Sequence, residues 1–84
     1  MDDIQIVDAL KSTYFEWEDI FAHAINKAKK NREIDSKIRS KELASFIVSV
    51  IEGGLIRSKL TGNKSDFLAP INHLEKYLYS LKVQ

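Results

Sequence analysis

At 84 residues, with no cysteine and a formal net charge of +1, the chain is one domain at most, has no disulfides or thiolate metal sites, and has no strong overall attraction for nucleic acid. Its 44% hydrophobic and 30% charged residues exclude a disordered chain, and no apolar run approaches the ~20 residues of a membrane span. A domain this small buries only about 60–65% of the surface its unfolded chain exposes, so a partner chain is the expected remedy for a small core. The opening MDDIQ has acidic residues where a secretory leader has basic ones, so the expected location is intracellular and cytoplasmic.

One proline, three glycines and almost no strand-like alternation predict an all-α fold: a small antiparallel helical bundle of three main helices plus a short N-terminal segment. In that segment Asp2 and Asp3 cap a short helix whose inner positions are Ile4, Val7 and Leu10. Thr13 and Glu16 then have the capping-box spacing of a helix start. From there Trp17, Ile20, Phe21, Ala24 and Ala28 recur at three- and four-residue steps, with Tyr14 and Ile25 beside them, and form one apolar stripe ending near Asn31. Lys27, Lys29 and Lys30 suit the C-terminal end of that helix. With Arg32, Lys37, Arg39 and Lys41 they make a local basic run, read as a solvated helix end and not as a phosphate-binding surface.

NREIDSKIRS, from Asn31 to Ser40, reads as a loop whose only large apolar residues are Ile34 and Ile38. Ser40 offers an N-cap to the next helix, which runs to Leu60 and stops at Gly62. Inside it, Leu43, Ile47, Val50, Ile51, Gly54 and Ser58 share one face, flanked by Phe46, Ala44, Val48 and Leu55. The apolar arc covers about half the circumference, more than one neighbouring helix requires. Each internal glycine costs about 0.8–1 kcal/mol against alanine, so the pair Gly53-Gly54 reads as a point of close helix approach. The final helix starts near Ser65 and Asp66, with Pro70 in or near its first turn. Phe67, Ile71, Leu74, Leu78 and Leu81 follow at the spacing of a helix–helix seam, widened by Tyr77.

No catalytic constellation, phosphate loop or metal-ligand spacing is present, so the chain reads as a non-enzyme with no metal and no cofactor. His23 and His73 lie beside the apolar stripes of different helices, and Glu52 falls opposite the apolar face. Tyr14, Trp17, Phe21 and Phe46 can meet as an aromatic cluster, which either fills a core or walls a pocket for an apolar or aromatic small molecule.

ELASFIVSVIEGGLIRSKLTGN followed by DFLAPINHLEKYLYSL resembles the C-terminal regulatory domain of the tetracycline-repressor (TetR) family of bacterial transcription regulators. The marks are a helix opening with Leu43-Ala44, then Glu52-Gly53 a little over two turns on, preceded by the Trp17, Ile20, Ala24, Ala28 helix and a polar loop. The resemblance runs from about Tyr14 to Leu81 and implies a ligand-sensing and dimerisation domain in a transcriptional repressor. It also implies a homodimer in which the last two helices of each chain form a four-helix interface, and a small apolar or aromatic inducer. DNA would be gripped only through an N-terminal helix-turn-helix domain, which is not found ahead of Thr13; the 84 residues are expected to be one regulatory domain. The pocket-wall candidates are then Tyr14, Trp17, Phe21 and Phe46. The interface candidates are Gly54, Leu55, Ser58, Leu74, Tyr77, Leu78 and Leu81. The alternative is a freestanding helical adapter that grips a partner helix with its exposed seam. The glycine often found in the family after the first of these helices is replaced by Asn31, which tolerates the left-handed turn.

Overall fold

The computed structural model describes residues 3–83, with side chains except those of residues 3–4, 6–11, 13 and 14. Three helices follow one another: α1 (Asp3–Lys30), α2 (Ser40–Thr61) and α3 (Ser65–Ser80). The expected break at Thr13 does not occur. No glycine or proline lies between Asp3 and Lys30, so nothing stops the first segment from running into the second. A Thr-x-x-Glu spacing marks a start only where the chain already turns. The inner positions Ile4, Val7 and Leu10, and the side chains of Asp2, Asp3 and Thr13, lie outside the description.

α1 ends in a paired-carbonyl stop: Arg32 N–H donates to Lys29 O and Glu33 N–H to Ala28 O at 2.9 Å. The left-handed residue of that stop is Arg32, at φ 60°, and not Asn31, which is still close enough to the helix to donate to Lys27 O. An arginine in this conformation has the Cβ strain that glycine lacks. Arg32→Gly is therefore expected to stabilise the chain by about 0.5–1 kcal/mol; a urea midpoint that falls instead would contradict the turn described.

The loop is tied down at several points. Ile34 and Ile38 pack against the core, Ile34 forms an antiparallel bridge with Lys82, and Val83 N–H donates to Glu33 O at 2.8 Å. Lys29 Nζ donates to Ile38 O at 2.6 Å. Ser40 is the first residue of α2, not its cap; it is buried, and its hydroxyl donates to Asn26 Oδ1 on α1. One cation and one hydroxyl thus fix where α2 begins relative to α1.

α2 stops where the sequence predicts, at Gly62, with φ 71° and its N–H on Ser58 O. The next helix is capped by Asn63 and not by Ser65 or Asp66: Asn63 Oδ1 accepts Ser65 N–H at 3.0 Å and Ser65 Oγ at 2.8 Å. Asn63→Ala should lower stability by about 1 kcal/mol, read as a shift of the urea midpoint; no shift would mean the cap is not formed. Asp66 is occupied elsewhere, accepting Thr61 Oγ1 at 2.5 Å and facing Arg57 at 3.9 Å. Because α3 begins at Ser65, Pro70 falls beyond the first turn, inside the helix.

That proline meets Gly54. A Cβ on Gly54 would lie 3.2 Å from Phe67 Cδ1, 3.4 Å from Phe67 Cα and 3.4 Å from Pro70 Cγ, so a bare backbone on α2 lets α3 approach closely. α2 lies between α1 and α3 and packs on both, while among the described residues the α1 and α3 backbones make no close approach to each other. The core is the thin seam where Ile25 of α1, Leu43, Ala44 and Ile47 of α2 and Leu74 of α3 meet.

The resulting body is flat, 51 × 30 × 13 Å, with the helices side by side in the order α1, α2, α3. The fold is a single layer of helices, whereas stable domains bury their apolar faces between two or more layers. Its radius of gyration, 15.2 Å, exceeds the about 12 Å of a compact chain of this length. Its 6833 Å² of surface is about 1,700 Å² more than a monomer of this mass normally exposes.

Candidate functional site

Two apolar surfaces arise from this layer, one on each side of α2. Between α1 and α2, Trp17, Ile20, Phe21 and Ile51 line a cleft of about 270 Å³. The cleft exists because α1 is rotated from its apolar stripe. The buried centre of α1 is Ile25, with Phe21 and Ala22 beside it, so Ile20 stays 64% exposed and Trp17 37%. Of the expected pocket wall, Trp17 and Phe21 are brought together here, and the Tyr14 side chain lies outside the description.

Phe46 is not part of this cleft. At 100° per residue it lies about 140° around α2 from Ile51, and it meets Tyr77 of α3 edge to face, with ring centroids 5.7 Å apart. Of the expected aromatic cluster, Trp17 and Phe21 therefore lie on one side of α2 and Phe46 on the other. Ile20 and Ile51, which the sequence shows as ordinary stripe residues, complete the cleft instead.

The second surface is the outer side of the α2–α3 pair. Phe46 and Tyr77, 47% exposed each, line a groove with Leu43, Leu81 and Ile38 and with the ion-paired Arg39 and Glu42. Further along, a second groove is lined by Ser49, Val50, Gly53, Gly54, Ala69 and Pro70 together with the ion-paired Arg57 and Asp66. The interface candidates distribute unevenly. Gly54 and Leu74 are buried within the protomer, Gly54 against Phe67 and Pro70 and Leu74 in the core. Leu78 and Leu81 are half-buried against that core, and Tyr77 is exposed on the outer side. Leu55, 39% exposed, lies about 180° around α2 from Phe46, so it and Tyr77 face different ways. Ser58 is half-buried on the inner arc.

Gly53 is the residue whose role the sequence conceals behind its neighbour. A Cβ there would have no atom within 4 Å, so nothing inside the protomer requires glycine. Its position about 100° around α2 from Gly54 is the sequence signal that distinguishes the two.

Among the described residues no group of three or more His, Asp or Glu side chains is placed to hold a metal ion, and His23 and His73 are both exposed on separate helices. No described helix is long and apolar enough to cross a membrane. The family model described as "Tetracyclin repressor-like, C-terminal domain" matches residues 4–74, which spans α1, α2 and most of α3.

The chain belongs to this family. No curated protein and no solved structure gives a significant match. The family match covers the α1 segment ahead of Tyr14 as well, which agrees with one continuous first helix. In this TetR-like domain the surfaces on the two sides of α2 are separate features, joined only through the thin core.

Proposed function

We propose that this chain is the ligand-sensing and dimerisation domain of a TetR-like transcriptional repressor. The observation that carries the reading is the unpaired outer side of α2 and α3. It holds two half-exposed aromatic rings and a glycine that nothing in the protomer requires, on a layer one helix thick. A second copy placed there would turn one layer into two, with α2 and α3 of each chain forming a four-helix core. The surface excess of about 1,700 Å² per chain falls in the range that permanent dimers bury, about 1,000–2,500 Å² per partner.

The α1–α2 cleft is one wall of the inducer site. Its 270 Å³ is just under the ~300–1,000 Å³ of a formed small-molecule pocket, and its lining suits an apolar or aromatic molecule. DNA would be read by a helix-turn-helix domain attached on the N-terminal side of α1. An inducer bound between the helices acts only to the extent that it binds the operator-free arrangement more tightly than the operator-bound one.

Trp17 is the single tryptophan of the chain, so it reports on its own cleft. Titration with 1-naphthol should quench or shift its emission saturably, and Ile51→Glu should weaken that response about tenfold or more by placing a charge in the apolar wall. A response that survives Ile51→Glu unchanged would remove the cleft from the ligand-binding reading. In the full-length protein, the same ligand should release operator DNA.

A further inference from the structure

The α1–α2 loop, the last turns of α3 and the C-terminal turn flank an open cleft of about 640 Å³ lined by Glu33, Ile34, Glu75, Leu78, Tyr79, Lys82 and Val83. Its floor is apolar: Ile34 and Leu78 are half-buried and both pack against the core. Its rim carries two carboxylates, and neither Glu33 nor Glu75 forms an ion pair among the described residues. The one cation of the cleft, Lys82, is not directed to them. Its ammonium lies 4.6 Å from the centroid of the Tyr79 ring.

A ring that holds an ammonium at that distance accepts positive charge on its face. The carboxylates leave the cleft one negative charge in excess of Lys82, and the apolar floor suits a hydrocarbon body. On the other side of Ile34 and Val83, a separate groove is lined by Lys29, Lys30 and Arg32 with Asp35, so the acidic character is confined to the Glu33–Glu75 side. The bridge between Ile34 and Lys82 and the Val83 N–H bond to Glu33 O hold the two halves of the cleft together.

The geometry points to a binding site for a small organic cation with an apolar body, such as an alkyl- or arylammonium, separate from the Trp17 cleft. The ligand's charge occupies the Tyr79 face in the cleft that Glu33 and Glu75 also line, and its apolar part lies on Ile34 and Leu78. Lys82 is the internal competitor: it fills the ring face in the free protein and must move aside. The inference does not depend on the dimer or the inducer reading, since every residue it uses belongs to this cleft.

The test is an amide-resolved NMR titration of the chain with benzyltrimethylammonium, beside its neutral near-isostere 2-methyl-1-phenylpropan-2-ol. The cation should perturb the amides of Glu33, Ile34, Tyr79 and Val83 and bind at least about fivefold more tightly than the alcohol. Glu33→Gln with Glu75→Gln should weaken it about tenfold. Lys82→Met should tighten it severalfold by freeing the ring. Lys64→Met, which removes the same charge at the other end of α3, should change it less than twofold, since exposed charges more than a Debye length apart are screened. All four substituted side chains are exposed, so the fold should persist, and far-ultraviolet circular dichroism checks this. The assignment is overturned if the alcohol binds as well as the cation, if no perturbation appears at millimolar probe, or if Lys82→Met leaves binding unchanged or weaker.

Discussion

Gly54→Leu is expected to lower the stability of the chain by about 3 kcal/mol, at the upper end of ordinary overpacking, and to part α3 from α2. The substituted side chain would grow into space already occupied by the Phe67 ring and backbone and by the Pro70 ring, at 3.2–3.4 Å from its first carbon. Neither the proline ring nor the Phe67 backbone can rotate away. A chain of 84 residues has about 4–12 kcal/mol of stability in total, so the loss is a large share of it. Gly54→Ala should behave differently. Its single carbon meets mainly the edge of a ring that can give, and alanine gains about 1 kcal/mol of helix propensity, so the net change should stay within about 0.5 kcal/mol. Urea unfolding followed at 222 nm separates the two; a Gly54→Leu midpoint equal to the wild type would mean that α3 is not seated on Gly54.

The adjacent substitution should have the opposite profile. Gly53→Leu adds a side chain whose Cβ has no atom of the protomer within 4 Å and removes a helix-destabilising residue, so the folded monomer should gain about 0.8 kcal/mol. The same side chain would stand on the outer side of α2, beside Ser49 and Val50 and across from Ala69 and Pro70, where the second copy is proposed to approach. Dimer dissociation should become about 30-fold easier or more, the effect of disturbing a central contact. Sedimentation of the variant at several concentrations measures it, and an unchanged dissociation constant would place the partner on another surface. One glycine thus serves the inside of the protomer and the other its outside, although they are adjacent in sequence.

That division marks the limit of what the sequence shows. The all-α class, the extents of α2 and α3 and the αL stop at Gly62 follow from periodicity and turn chemistry, because those signals are local and strong. The broad apolar arc of α2 is legible too, and its two neighbours, α1 and α3, account for its inner part. The start of α1 is not legible, since Thr13-x-x-Glu16 has the right spacing whether or not the chain turns there. Arg32 in the left-handed turn and Asn63 as the cap of α3 are likewise set by where the neighbouring helices lie, not by residue preference alone.

The candidate site was legible in composition but not in arrangement. Trp17 and Phe21 share a cleft, yet Phe46, also aromatic and also on an apolar flank, turns to Tyr77. The apolar stripe of α1 is wider than the contact it makes, so periodicity cannot tell which edge is buried; Ile25 at the flank is, and Ile20 in the middle is not. Leu74 and Gly54 read as interface residues because a seam between helices of one chain has the same spacing as one between two chains.

Sedimentation equilibrium of the unmodified chain over a wide concentration range tests the central claim, that the outer side of α2 and α3 is a subunit interface. The account predicts a mass of twice 9.6 kDa that falls toward one chain only on strong dilution. A mass of one chain at every concentration would contradict it and leave the exposed face to a partner of another kind.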